Sequence, residues 1–159
     1  MIAIVIFPSS LSAQSSAPVT SPNPLNAAEY GKLLDRIEGD LGVWEFAIAK
    51  IDPGKGDTSY KVGSETAKNQ DLGLTGVKDA RMFIGSQRTR RTIYGELALA
   101  GYLDDVRDAI TQLAVEGAFN DLSDEKMSSF GGEMGSVQIS LKNDGMRRLK
   151  SLEDSPCSR

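Results

Sequence analysis

The stretch NAAEYGKLLDRIEGDLGVWEFAIAKID, residues 26 to 52, decides the fold. Tyr30, Leu34, Ile37, Leu41, Trp44, Ile48 and Ile51 follow one another at steps of four and three, which places all seven on one stripe of an α-helix. Asn26 precedes the stripe and Glu29 stands three positions on, the pattern of a capping box. Asp52-Pro53-Gly54 ends the helix, because proline disfavours helical geometry in the residue before it and glycine permits a reversal. A helix of this span is about 40 Å long at roughly 1.5 Å per residue, too long for a small domain unless other helices run beside it. Gly39 and Gly42 lie off the stripe and, with Phe46 and Ala49, form a second face of mostly small residues. Each glycine costs about 1 kcal/mol relative to alanine. Either a surface tolerates that loss, or a second helix approaches closely there; the second is the sharper expectation.

A comparable stripe runs from Tyr94 to Glu116. Leu99, Leu103, Val106, Ile110 and Leu113 repeat at steps of four and three, Leu97 and Tyr102 widen the stripe, and Gly117 is the expected C-cap. Two helices of similar length suit antiparallel packing, so the fold class expected is mainly all-α, a small antiparallel bundle with two long helices. The rest is read in shorter pieces. Asp57 to Leu74 is polar and contains glycine, a loop with a short helix at Ser64 to Asn69. Thr75 to Ser86 is a helix with Val77, Ala80 and Ile84 on one side, although Met82-Phe83-Ile84 also fits a short strand. Ser123 to Phe130 forms a short helix that Gly131-Gly132-Glu133-Met134-Gly135 breaks. Ser136 to Leu141 alternates Val137, Ile139 and Leu141 as a strand does, though six residues do not separate a strand from a helix start. Gly145 to Glu153 is helical again.

The first 25 residues read as export and tether. Ile2 to Phe7 is a short apolar run, and Leu11-Ser12-Ala13 offers a signal cleavage site before Gln14, with small Ala13 at −1 and a larger Leu11 at −3. No basic segment precedes the run, which leaves open a start inside a longer signal. A membrane span needs roughly 20 apolar residues and is not expected. Residues 14 to 25 are rich in Ser and Pro (Pro18, Pro22, Pro24), an extended linker. Residues 26 to 159 then form a single helical domain, and the expected location is periplasmic or secreted.

The residue inventory excludes several chemistries. The chain has no His, so Ser-His-Asp and Cys-His nucleophile systems cannot be built within it, nor can imidazole-based zinc or copper sites. Its one Cys, Cys157, cannot form an internal disulfide. Ser123-Asp124-Glu125-Lys126 matches S-x-x-K without its companion motifs, and the glycines at 131, 132 and 135 lack the Lys-Ser/Thr of a phosphate loop. No cofactor and no catalytic or metal residue is assigned.

Charge supplies the remaining candidates. The net charge of −4 argues against nucleic acid or an anionic membrane as partner. Arg88, Arg90 and Arg91 make a basic run, of which Arg88 and Arg91 share a face if the run is helical. Asp104, Asp105 and Asp108 crowd the second long helix. These six residues are the candidate partner-binding positions; mutual pairing within the protein is the competing role. The function expected is that of an exported, non-enzymatic helical protein binding another protein or an envelope component, of which a small periplasmic inhibitor or immunity protein is one version. The alternative is a hydrolase that works through two carboxylates facing one cleft.

Overall fold

Asn26 does cap the first helix. Its side chain accepts the Glu29 N–H at 2.8 Å, while the Glu29 carboxylate accepts the Asn26 N–H at 3.0 Å. Helix α1 runs over Ala27–Ala49, followed by α2 over Tyr60–Thr89, α3 over Ile93–Val115 and α4 over Asp124–Glu153. The computed structural model describes residues 23–53, 60–119 and 124–154, without the side chains of 60–64, 124, 125, 127, 128, 130 and 131. The expected signal and most of the linker, residues 1 to 22, lie outside the described residues, as do Ser123 and Cys157. No described helix is long and apolar enough to cross a membrane.

Every neighbouring pair of helices is antiparallel. Ile48 meets Gly73 and Arg88 meets Asp35 across α1 and α2. Val106 meets Gly76 and Tyr102 meets Phe83 across α2 and α3. Arg107 meets Gly135 and Leu97 meets Gly145 across α3 and α4. Arg36 reaches Ser136 from α1 to α4 and so closes the ring. The result is an up-down-up-down bundle whose core holds both expected stripes. Leu34, Ile37, Leu41, Trp44 and Ile48 of α1 and Leu99, Leu103, Val106 and Leu113 of α3 are fully or almost fully buried, together with Val77, Ala80 and Ile84 of α2 and Met134, Val137 and Leu141 of α4. The indole N–H of Trp44 has no acceptor in this core.

Helix α3 stops as its sequence requires. Gly117 has φ of 74°, its N–H donates to the Ala114 carbonyl at 3.0 Å, and the Ala118 N–H donates to the Leu113 carbonyl at 2.9 Å. This is a Schellman arrangement, which glycine accommodates because it has no Cβ to strain at positive φ.

The expectation of two long helices and a short strand is overturned: α2 and α4, each of 30 residues, are longer than α1 and α3. Met82–Ile84 and Ser136–Leu141 are helical, and Gly131, Gly132 and Gly135 interrupt nothing. The physical reason lies between helices. A Cβ added at Gly76 would come within 2.8 Å of a Val106 methyl, one at Gly73 within 3.0 Å of Ile48, and one at Gly145 within 2.6 Å of Leu97. These glycines are close-approach positions where packing outweighs the roughly 1 kcal/mol propensity loss; Gly132 and Gly135 make no such approach, and the buried Met134, Val137 and Leu141 carry the helix through them. Polar residues of the expected loop are ties: Gln70 donates to the Ile48 and Ile51 carbonyls at 3.0 and 2.8 Å, covering the end of α1. Gly39 and Gly42, where close approach was expected, meet nothing within 4 Å. The helix contacts fall on the flanks of α1 and leave that face outermost.

Candidate functional site

Among the described residues, two places stand out against the rule of apolar inside and charged outside. The first is an ionic cluster at the end of the bundle where α1 begins. Glu96 of α3 and Asp144 of α4 are both 0% exposed. Arg148 donates to Glu96 at 2.9 Å and Arg91 donates to Asp144 at 2.8 Å, with Arg91 also 3.7 Å from Glu96 and Arg147 3.7 Å from Asp144. The Arg91 guanidinium lies 4.0 Å from the centre of the Tyr30 ring, a cation–π contact. The Tyr30 hydroxyl donates to Gln87 at 2.9 Å, and the same Gln87 oxygen accepts the Thr92 N–H at 3.1 Å. Burial favours the neutral forms of the Glu96 carboxyl and the Tyr30 phenol. It pushes the Glu96 carboxyl up to about 8, helped by a hydrogen bond and charge repulsion from Asp144 and opposed by Arg148, and it raises the Tyr30 phenol.

This cluster holds a segment of main chain. The Leu25 N–H donates to Asp144 at 2.6 Å and the Leu25 carbonyl accepts from Arg91 at 3.0 Å, so one guanidinium–carboxylate pair grips both polar groups of one residue. The Leu25 side chain is buried beside it. Chemically the arrangement fastens the lead-in of α1 to α4. The Glu96 and Asp144 oxygens face arginines, one another and the packed Gly145 rather than a cleft. Among the described residues no group of three His, Cys, Asp or Glu side chains is placed to hold a metal.

The sequence candidates scatter. Arg88 pairs with Asp35 at 2.7 Å and Glu38 at 3.6 Å on α1. Arg91 enters the cluster instead, because α2 ends at Thr89 and helical spacing no longer relates the two. Arg90 is exposed. Asp104 stands 3.5 Å from Arg107 on its own helix. Asp105 and Asp108 line a groove of about 420 Å³ between α2 and α3 with Asp79 and Tyr102, and the Asp105 carboxyl is raised by partial burial and then by Asp104 and Asp108. Glu96, Asp144, Arg147 and Arg148 were missed. Their signal is present: Glu96 stands three residues before Leu99 and Asp144 three after Leu141, each a charge on an apolar stripe.

The second place is the outer face of α1, toward the end opposite the cluster. Phe46 is 66% exposed and Val43 49%, beside the exposed Ala49 and the open Gly39 and Gly42. On α2, Met82 is 62% exposed. A groove of about 710 Å³ runs between α1 and α2, lined by Glu45, Ala49, Leu74, Lys78, Arg81 and Met82. Arg81 and Glu45 pair at 2.7 Å across it, and the Lys50 ammonium stands 5.3 Å from the centre of the Phe46 ring.

No family model, curated protein or solved structure matches the chain. The functional reading therefore rests on these two places. One is internal and fastens the fold; the other is open and carries exposed apolar side chains among charged ones.

Proposed function

We propose that this chain is an exported, non-enzymatic helical protein that binds another protein through the outer face of α1 and the adjoining α1–α2 groove. The observation that carries the reading is the exposure of Phe46, Val43 and Met82 on adjoining helices α1 and α2, next to an open groove; other exposed apolar side chains, such as Tyr94 and Val115, do not line that groove. Contiguous exposed apolar surface rimmed by charge is the common mark of an interaction site, and an aromatic anchor with a charged surround is the usual composition of a binding centre. A hydrolase using two carboxylates needs both to reach one cleft. The buried pair, Glu96 and Asp144, is instead engaged by arginines and by the main chain of Leu25, which leaves that alternative to Asp79, Asp105 and Asp108 in the α2–α3 groove. Export enters through the Ile2–Phe7 run and the Leu11-Ser12-Ala13 site.

A photo-crosslinking residue in place of Phe46, in the full chain expressed from its gene, tests the reading. We expect a defined protein adduct that excess wild-type chain competes away and a Phe46→Ser, Met82→Ser variant does not. The same probe in place of Lys142, exposed on α4, should give none. Equal adducts from both positions, or none from either, would overturn the proposal.

A further inference from the structure

The outer face of α1 carries both a knob and a notch. At 3.6 residues per turn, Gly39, Gly42, Val43 and Phe46 point to one side, away from the buried stripe. Phe46 projects into solvent, and a turn or two earlier Gly39 and Gly42 leave the backbone open, with nothing within 4 Å of an added Cβ. Both features are costly alone: glycine weakens a helix interior, and an exposed phenyl ring leaves apolar area in water. Helix backbones approach most closely where one side is glycine, and there a ring from the facing helix fits.

The two features also complement each other by symmetry. A two-fold axis passing between residues 42 and 43 of two antiparallel copies sets 46 opposite 39, 42 opposite 43, and 50 opposite 35. Each Phe46 then faces the other copy's Gly39, each Gly42 faces Val43, and each Lys50 faces Asp35. This is the self-complementary pattern that an isologous dimer interface requires. The charges agree in sign: Lys50 is exposed, and the Asp35 side chain is 69% exposed although Arg88 already holds one of its oxygens. Asp40 and Glu45, which also fall opposite one another, lie on the flanks of the face, where Glu45 is held by Arg81 and Asp40 is half-buried. We infer that this face pairs with the same face of a second copy of the chain, with each Phe46 seated in the glycine notch of the other. The inference rests on the reading of this face as a protein-binding surface and names the partner.

Sedimentation velocity of the full chain over a concentration series tests it. The wild type is expected to pass from one chain to two with a midpoint on the order of 10 μM, as suits a small, transient interface. Gly39→Leu fills the notch and should raise that midpoint more than about tenfold without lowering Tm, since the added side chain meets nothing in its own bundle. In a Cys157→Ser background, Val43→Cys, close to the axis, should give a covalent dimer on mild oxidation, and Ile139→Cys on α4 should not. A wild type that stays monomeric at about 1 mM, or a Gly39→Leu variant that dimerises like the wild type, would overturn the inference. If the Phe46 photoprobe meanwhile marked a different protein, the binding reading would stand and only the choice of partner would fall.

Discussion

The two irregular regions of this bundle are opposites. Near the start of α1, charges lie inside: Glu96 and Asp144 are fully buried and bound to three arginines. Toward its end, apolar groups lie outside: Phe46 and Val43 meet solvent on the same helix. The first region is tied to other elements by hydrogen bonds and ion pairs, and the second makes few contacts with the rest of the bundle. Buried charge is retained where it is paired and hydrogen-bonded, so the first region makes strict demands on the fold. Exposed apolar area makes no such demand. The difference ties the fold to one end and leaves the other to the binding role proposed above, and substitutions in the two regions should separate accordingly.

The largest effect is expected at the cluster. Asp144→Ala removes the acceptor of both Arg91 and the Leu25 N–H and leaves the guanidinium without its buried partner. Breaking such a pair from one side costs about 3–5 kcal/mol, a large part of a domain's total stability. Chemical denaturation should show it as a lowered midpoint at unchanged slope. A loss below about 1 kcal/mol would mean that the cluster is hydrated and contributes little, as exposed pairs do.

The next effect is a pH dependence. The Glu96 carboxyl, normally 4.5, is pushed up to about 8, so between those values the folded chain holds a proton that the unfolded chain has released. Stability then falls as pH rises through that window, by at most about 1.4 kcal/mol per pH unit. Asp40 adds to the slope only below about 6, where burial and then Glu133 raise its carboxyl. Between pH 6 and 8 the slope belongs to Glu96, and Glu96→Gln, which keeps the neutral shape, should flatten it. A wild-type curve that is flat or rising from pH 6 to 8 would show Glu96 ionised by its arginines.

How much of this was legible follows from particular residues. Helices α1 and α3 were readable because apolar side chains recur on a single stripe and the caps, Asn26 and Gly117, use local chemistry that the sequence states outright. Helices α2 and α4 were read as fragments because their glycines look like breakers. Gly73, in the expected loop, instead meets Ile48, and Gly145, at an expected break, meets Leu97, each 25 or more residues away in sequence. Sequence windows see the propensity loss and not the partner that offsets it. The outer face of α1 inverts the error: Gly39 and Gly42 were expected to receive a helix of this chain, and among the described residues they receive nothing. The ionic cluster was legible only as two charges out of place on apolar stripes.

Glycine substitutions sharpen this contrast at smaller magnitude. Gly76→Ala forces a Cβ against the stiff, β-branched Val106 and should destabilise by about 1–3 kcal/mol. Gly39→Ala enters open space and should stabilise by up to about 1 kcal/mol through helix propensity alone. Opposite shifts in Tm are the expected result. Shifts of the same sign would show that these glycines do not differ in kind.

The smallest effect on stability is expected at Phe46, and its smallness is the informative part. The ring lies outside the core, and the Lys50 ammonium stands 5.3 Å from its centre, an exposed contact worth about 0.5–1 kcal/mol at most. Phe46→Ser removes that contact and also removes apolar surface from water, so the two changes oppose one another. The melting temperature measured at high dilution, where chains are separate, should move by no more than the equivalent of about 0.5 kcal/mol, the range of ordinary surface substitutions. At high concentration the wild type should melt higher than it does when dilute, because association with a second copy stabilises the folded form by mass action. The variant should show no such dependence. A variant that melts several degrees lower at every concentration would place Phe46 among the residues that hold the bundle together, and the distinction between its two ends would disappear.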